Sequence, residues 1–129
     1  MLTVIEPTVI DNCSELSLGN ALNFDGINDI TQIPATSFIN TASLSQRTIE
    51  TYFRVDDKNI SSRRQIIWEE GGAVNGINLY VFDGRLYYGI FSDRSGVWLS
   101  TDLVQSGQWH NAVLVYDGTL TVGLSLIHI

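Results

Sequence analysis

Apolar residues recur at every second position through much of this chain, and nowhere do they hold helical spacing over three turns. The clearest case is 47–55, where Ile49, Thr51, Phe53 and Val55 share one face and Glu50, Tyr52 and Arg54 the other. Residues 108–116 repeat the pattern, with Ala112, Leu114 and Tyr116 opposed to Val113 and Val115. Between them, 77–82 and 85–91 flank Asp83-Gly84, the preferred pair for a two-residue type I′ turn. Both faces of that hairpin are apolar, which predicts a place in the middle of a sheet with each face covered. Shorter strands are expected at 65–69, centred on Ile66, Ile67 and Trp68, and at 97–100. Turns or loops are expected at 56–64, 70–76, 92–96 and 102–107. Asp117-Gly118 predicts a second tight turn into 119–122.

The N-terminal third is less regular. Thr3-Val4-Ile5 and Thr8-Val9-Ile10 are strand-like, but Pro7 separates them and Asp11-Asn12-Cys13-Ser14 is loop chemistry. We read 1–14 as a linker or the tail of a preceding module, with an edge strand near 15–18. In 21–34, Leu22 and Phe24 alternate, Asp25-Gly26 and Asn28-Asp29 offer turn chemistry, and Ile30 and Ile33 resume before Pro34. That pattern predicts a tight hairpin with Asp25, Asn28 and Asp29 crowded at its tip. A polar connection at 35–46 carries two apolar points, Phe38 and Leu44. The fold class is therefore all-β, built of short antiparallel strands in two packed sheets, a β-sandwich.

Composition narrows the partners. The 129 residues make one domain at most, and a hydrophobic content of 44% excludes disorder. Seven basic against 14 acidic side chains leave a net charge of −7, which argues against nucleic acid. No apolar run is long enough for a membrane helix. A single cysteine, Cys13, has no internal disulfide partner. Asn12-Cys13-Ser14 and Asn59-Ile60-Ser61 match the glycosylation triplet, a pattern too common to carry weight alone. The first residues lack the basic start and apolar centre of a secretory signal. Taken alone that points to the cytoplasm; in a piece of a longer protein it carries no weight.

Three motifs follow one another: Leu22-Asn-Phe-Asp-Gly-Ile-Asn-Asp, Thr48-Ile-Glu-Thr-Tyr-Phe and Gly107-Gln-Trp-His-Asn-Ala-Val-Leu-Val-Tyr-Asp-Gly. In this order they resemble LamG-like modules, the concanavalin A-like jelly rolls related to laminin G and pentraxin domains. None of the three would be specific by itself. The resemblance implies a jelly-roll sandwich over 15–123, lacking late strands that the family places after the Tyr116-Asp117-Gly118 turn. One of those strands packs beside the opening hairpin in the family. The resemblance also assigns Trp109 to the core. The last six residues, 124–129, resemble the translation of a sequencing-library transposase adapter and are expected to be non-native.

Catalysis finds little support. Related sandwiches include glycosidases that set two carboxylates across a cleft, about 5–5.5 Å apart for retention. The acid-rich strand signature of those enzymes is absent, and Glu69 and Glu70 are adjacent, so within a strand they point to opposite faces. Glu50 stands alone. His110 is expected to be a structural residue, and His128 belongs to the adapter-like end. Calcium is the better-supported cofactor: hard cations need several oxygens, and Asp25, Asn28 and Asp29 cluster within five residues. The same residues read equally well as turn formers. Sugar binding would require an exposed aromatic face beside polar side chains. Trp68, Trp98, Tyr87 and Tyr88 are candidates, each also a natural core residue, with Trp98 and Tyr87 carried forward as ligand-binding residues. The resemblance thus implies a non-catalytic extracellular or cell-surface recognition module, flanked by other domains. It would bind glycans or extracellular proteins through rim loops, with calcium as a candidate aid. The alternatives are a fragment of a concanavalin A-like glycoside hydrolase and a structural spacer without ligand.

Overall fold

The computed structural model describes residues 3–5, 8–10, 20–36, 39, 45–72, 74–93, 95–117 and 124–128. All regular structure there is strand: β1 (Thr3–Ile5), β2 (Thr8–Ile10), β3 (Ala21–Asn23), β4 (Ile30–Gln32), β5 (Gln46–Arg54), β6 (Gln65–Gly71), β7 (Asn75–Phe82), β8 (Arg85–Ser92), β9 (Ser95–Thr101), β10 (Trp109–Asp117) and β11 (Leu124–His128). The all-β expectation holds, and no helix among these residues is long and apolar enough to cross a membrane. The chain divides into two compact units, Met1–Thr41 and Ala42–Ile129.

In the first unit, β1 pairs antiparallel with β4 and β2 with β3. This corrects the expected hairpin at 21–34. Its two strands do not pair with each other; each takes a partner from the segment read as a linker. Backbone pairing uses groups every residue carries, so a local turn signal does not decide which strand answers it. Leu22, Phe24, Ile27 and Ile30 are exposed, so the alternation there does not mark a buried face within the unit. The strand expected at 15–18, and Cys13, Phe38 and Leu44, lie outside the described residues.

The second unit is a two-sheet sandwich. One sheet runs β11-β10-β5 and the other β6-β7-β8-β9, every neighbouring pair antiparallel. The sheets share one hydrophobic core. Phe53 and Val55 from the β5 end, together with Ala112 and Leu114 from β10, meet Ile77, Leu79 and Val81 from β7 and Leu86 and Tyr88 from β8. Val104 is fully buried at the edge of this cluster. The loop that carries it is tied down where Gly107 N–H donates to Val55 O at 2.8 Å. The alternation seen in the sequence is thus the alternation of inner and outer faces.

Two features adjust that pattern. The β7–β8 hairpin turns at Asp83-Gly84 with φ of 45° and 81°, the left-handed pair that a type I′ turn needs. In β6 the register with β7 shifts between Ile66 and Trp68. This bulge lets consecutive residues Ile67 and Trp68 both pack against the core while Ile66 stays half exposed. Beyond it, Glu69 faces out and Glu70 faces in, where it pairs with Arg47 of β5 and links the two sheets. Trp109 is a correction. It is only partly buried and outside the core cluster, with the Arg54 guanidinium 5.8 Å from its ring centre. Its neighbour His110 takes the buried position, because alternation allows only one of the two to face inward.

The backbone of β11 pairs with β10 from Ala112↔His128 to Tyr116↔Leu124. Ladder hydrogen bonds use backbone groups alone, so this pairing is neutral on whether those residues are native.

Candidate functional site

The outer face of the four-stranded sheet carries a groove of about 420 Å³, lined by Arg64, Val74, Asn78, Tyr80, Phe91, Asp93 and Trp98. Strand alternation assembles it. Asn78 and Tyr80 of β7, Phe91 of β8 and Trp98 of β9 are all out of phase with the buried Leu79, Val81 and Tyr88. Cross-strand register sets Asn78, Gly89 and Trp98 in one row and Tyr80 and Tyr87 in the next.

The floor is Trp98. A Cβ added at Gly89 would fall 2.3 Å from its Nε1, and one added at Gly96 would fall 2.3 Å from its Cη2. The indole therefore lies flat over two bare stretches of strand, in space that any other residue at either position would fill. One face of the ring rests on the sheet and the other is open, leaving Trp98 51% exposed. Glycine serves here by lacking a side chain.

Tyr80 forms a wall. Tyr87 stacks on it from the β8 side, with ring centres 5.2 Å apart and planes within 13°. From the β6 side the Arg64 guanidinium lies 5.1 Å from the Tyr80 ring centre. A ring held between two stacking partners is fixed in orientation, and Tyr80 is buried to all but its rim. Asn78 adds polarity to the floor, its Oδ1 buried without a hydrogen-bond partner. At the far end the groove reaches the sandwich rim. There Asp93 N–H donates to Val74 O at 2.9 Å and is also 3.3 Å from Asn75 Oδ1, joining the β8–β9 turn to the β6–β7 turn.

The expected ligand residues fall differently. Trp98 is in the groove. Tyr87 shares the sheet face but acts as a buttress to Tyr80, which takes the lining position instead. Asn78, Arg64 and Asp93 were not singled out by sequence. The one signal that could have found Asn78 is a polar residue at an outward position in the most apolar hairpin of the chain. Trp68 packs on the core, and Tyr88 is fully buried. Burial pushes the Tyr88 phenol up from its ordinary range, with the neighbouring Tyr116 adding to the effect and Arg47 opposing it.

Asp25, Asn28 and Asp29 do sit on one exposed turn in the first unit. Asp25 Oδ1 accepts from Ile27 N–H at 2.7 Å, and Asp29 Oδ2 accepts from Asp25 N–H at 2.8 Å. These are the bonds of a side-chain-capped turn. Among the described residues no three His, Cys, Asp or Glu side chains gather where they could share a cation. Glu50 is exposed and accepts from Asn111 Nδ2 at 2.9 Å. His110 Nε2 accepts from Gln105 N–H at 2.9 Å, and its ring lies 5.7 Å from that of Phe53. Glu69 and Glu70 face opposite sides of the sheet, so they form no pair across a cleft. Compared with known proteins, the chain matches no family model, no curated protein and no solved structure.

Proposed function

We propose that this chain is a non-catalytic recognition module that binds carbohydrate on the outer face of its four-stranded sheet. One observation carries the reading: the indole of Trp98 laid flat over Gly89 and Gly96, with one face open to a groove that Asn78, Arg64 and Asp93 also line. A pyranose ring has an apolar face of C–H groups and a rim of hydroxyls. The first suits the electron-rich face of an indole, and the second suits Asn78, Arg64 and Asp93. The groove is preformed, its floor and wall fixed by packing, so binding orders little of the protein.

The LamG-like resemblance is consistent with such a module in an extracellular multidomain protein. The present site differs from the rim-loop site it implies, since the platform is on strands and only one end of the groove meets the rim. A protein ligand is less well suited, because a flat ring with hydroxyl-sized polar neighbours matches a sugar better than a side-chain anchor. A glycan array read with the wild-type chain and with Trp98→Ala tests the proposal. Binding to at least one saccharide class, weakened roughly tenfold or more by the substitution, is the expected result. Silence across the array, or glycan binding indifferent to Trp98, would overturn it.

A further inference from the structure

The two edges of the four-stranded sheet are built differently. At one edge, β6 carries Glu69, Glu70 and the register shift between Ile66 and Trp68. Charge and a bulge are common means of stopping a sheet edge from taking another strand. At the other edge, β9 reads Ser95-Gly-Val-Trp-Leu-Ser-Thr101, without charge or proline, and it pairs with β8 along its whole length with no shift. Even β5, an edge of the other sheet, carries Arg47, Glu50 and Arg54. Among the described residues nothing pairs with the far side of β9. Val97 shares the inward phase of Leu99 and lies across from Ile90, which packs on the core, yet it is 48% exposed. An inward apolar residue left open at a sheet edge is what a further strand would cover.

We infer that β9 is a dimerisation edge: two copies of this chain pair their β9 strands antiparallel across a two-fold axis at Trp98, joining two four-stranded sheets into one. The strand fits itself. Counting outward from Trp98, Val97 answers Leu99, Gly96 answers Ser100 and Ser95 answers Thr101, so each residue meets one of similar polarity. A two-fold interface requires such self-complementarity. The backbone phase agrees. Ser92 and Ser95 flank a two-residue turn and bond each other, so alternation points the N–H and C=O of Gly96, Trp98 and Ser100 away from β8. In the register centred on Trp98 those residues meet one another, Trp98 with Trp98 and Gly96 with Ser100, for about six backbone hydrogen bonds. Val97 of each copy comes to lie beside Leu99 of the other.

The indole does not obstruct the approach, because it leans over Gly89 on the β8 side and over Gly96 in its own strand. The joined sheet sets the two indoles in one row, and so presents two grooves on one face. Charge favours this edge. At −7 each, two chains repel in general, and β9 lets them meet along a strand that bears no charge. By position in the sequence, the same register counts Arg94 of one copy against Asp102 of the other at each end. A contact one strand wide belongs at the low end of interface sizes, below about 1,200 Å² in total, so a dissociation constant in the micromolar range is expected. The inference does not depend on the carbohydrate reading.

Sedimentation velocity on the full chain from about 5 to about 500 µM tests it, with hydrogen exchange of the backbone amides at both concentrations. The expected result is a closed monomer–dimer equilibrium. The amides of Gly96, Trp98 and Ser100 should exchange at least about tenfold more slowly in the concentrated sample. Those of Val97 and Leu99, bonded to β8, should be protected in both. Ser100→Pro removes one outward N–H without taking a bond from β8, and should weaken the dimer roughly tenfold or more. The exchange measurement uses the wild-type chain alone, so it decides the matter even if Ser100→Pro does not fold. A monomer throughout the range, open-ended association, or a dimer whose three outward amides gain no protection would overturn the inference. So would a dimer indifferent to Ser100→Pro in the folded variant. None of these outcomes bears on glycan binding, which the array reads by itself.

Discussion

Trp98 lies over Gly89, its cross-strand partner in the four-stranded sheet, so closely that a Cβ at position 89 would come within 2.3 Å of the indole nitrogen. The glycine and the tryptophan are one device: the first leaves the space and the second fills it with a flat ring. Gly89→Ala should therefore lift or rotate the indole more than it unfolds the chain, since the atoms in the way belong to side chains. The expected outcome is a stability loss on the order of 1 kcal/mol, a red-shifted tryptophan emission and weakened glycan binding. Equilibrium denaturation and fluorescence read the first two together.

A second prediction concerns the sandwich interior. Glu70 and Arg47 pair between the sheets with side chains only 9% and 14% exposed. Glu70→Gln leaves the guanidinium buried beside a neutral amide. It should cost on the order of 3 kcal/mol, because a buried charge loses its counter-ion. Urea unfolding measures it, and a change under about 0.5 kcal/mol would mean the pair is as solvated as a surface bridge.

Tyr88 predicts a pH effect with a definite sign. Its phenol is held above its ordinary range by burial, so the folded chain keeps the proton where the unfolded chain gives it up. Stability from this group is full below about pH 10, the unfolded value, and falls as pH rises above it. Tyr88→Phe should remove that part of the alkaline decline. At neutral pH it should be nearly neutral or stabilising, since Tyr88 Oη is buried with no hydrogen-bond partner to lose. Thermal melts at pH 7 and pH 10.5 on both chains check the sign.

Calcium provides a fourth. Asp25 and Asp29 each spend an oxygen on a backbone N–H, and among the described residues that line the groove Asp93 carries the one carboxylate. Glycan affinity should be the same with 1 mM calcium as with excess chelator, to within roughly twofold. Loss of binding in chelator would move the site to an ion-dependent rim and return attention to Asp25, Asn28 and Asp29.

Much of the sandwich could be read from sequence because its strands are adjacent in the chain. Asp83-Gly84 announces its own hairpin, and the run of Leu79, Val81, Leu86 and Tyr88 marks an inner face without reference to anything distant. The first unit could not be read that way. Asp25-Gly26 and Asn28-Asp29 do form a turn, but which strand lies beside Ala21–Asn23 is a non-local choice, and Thr8–Ile10 answers it. The groove was half legible. Trp98 stood out as an aromatic after a glycine, whereas the roles of Gly89 and Gly96 depend on a register that no periodicity reveals. Tyr87 and Tyr80 look alike in sequence, and only their stacking order decides which one lines the groove.

The chain has three tryptophans, Trp68, Trp98 and Trp109, and their indole N–H resonances separate the site from the rest of the sandwich. Titrating the labelled chain with a neutral tetrasaccharide should move the resonance assigned to Trp98 by its loss in Trp98→Phe. The Trp68 resonance, on the core side, should stay in place. Shifts confined to the Asp25–Asp29 turn, or a Trp98 resonance that stays fixed while the sugar binds, would contradict a site on the sheet face.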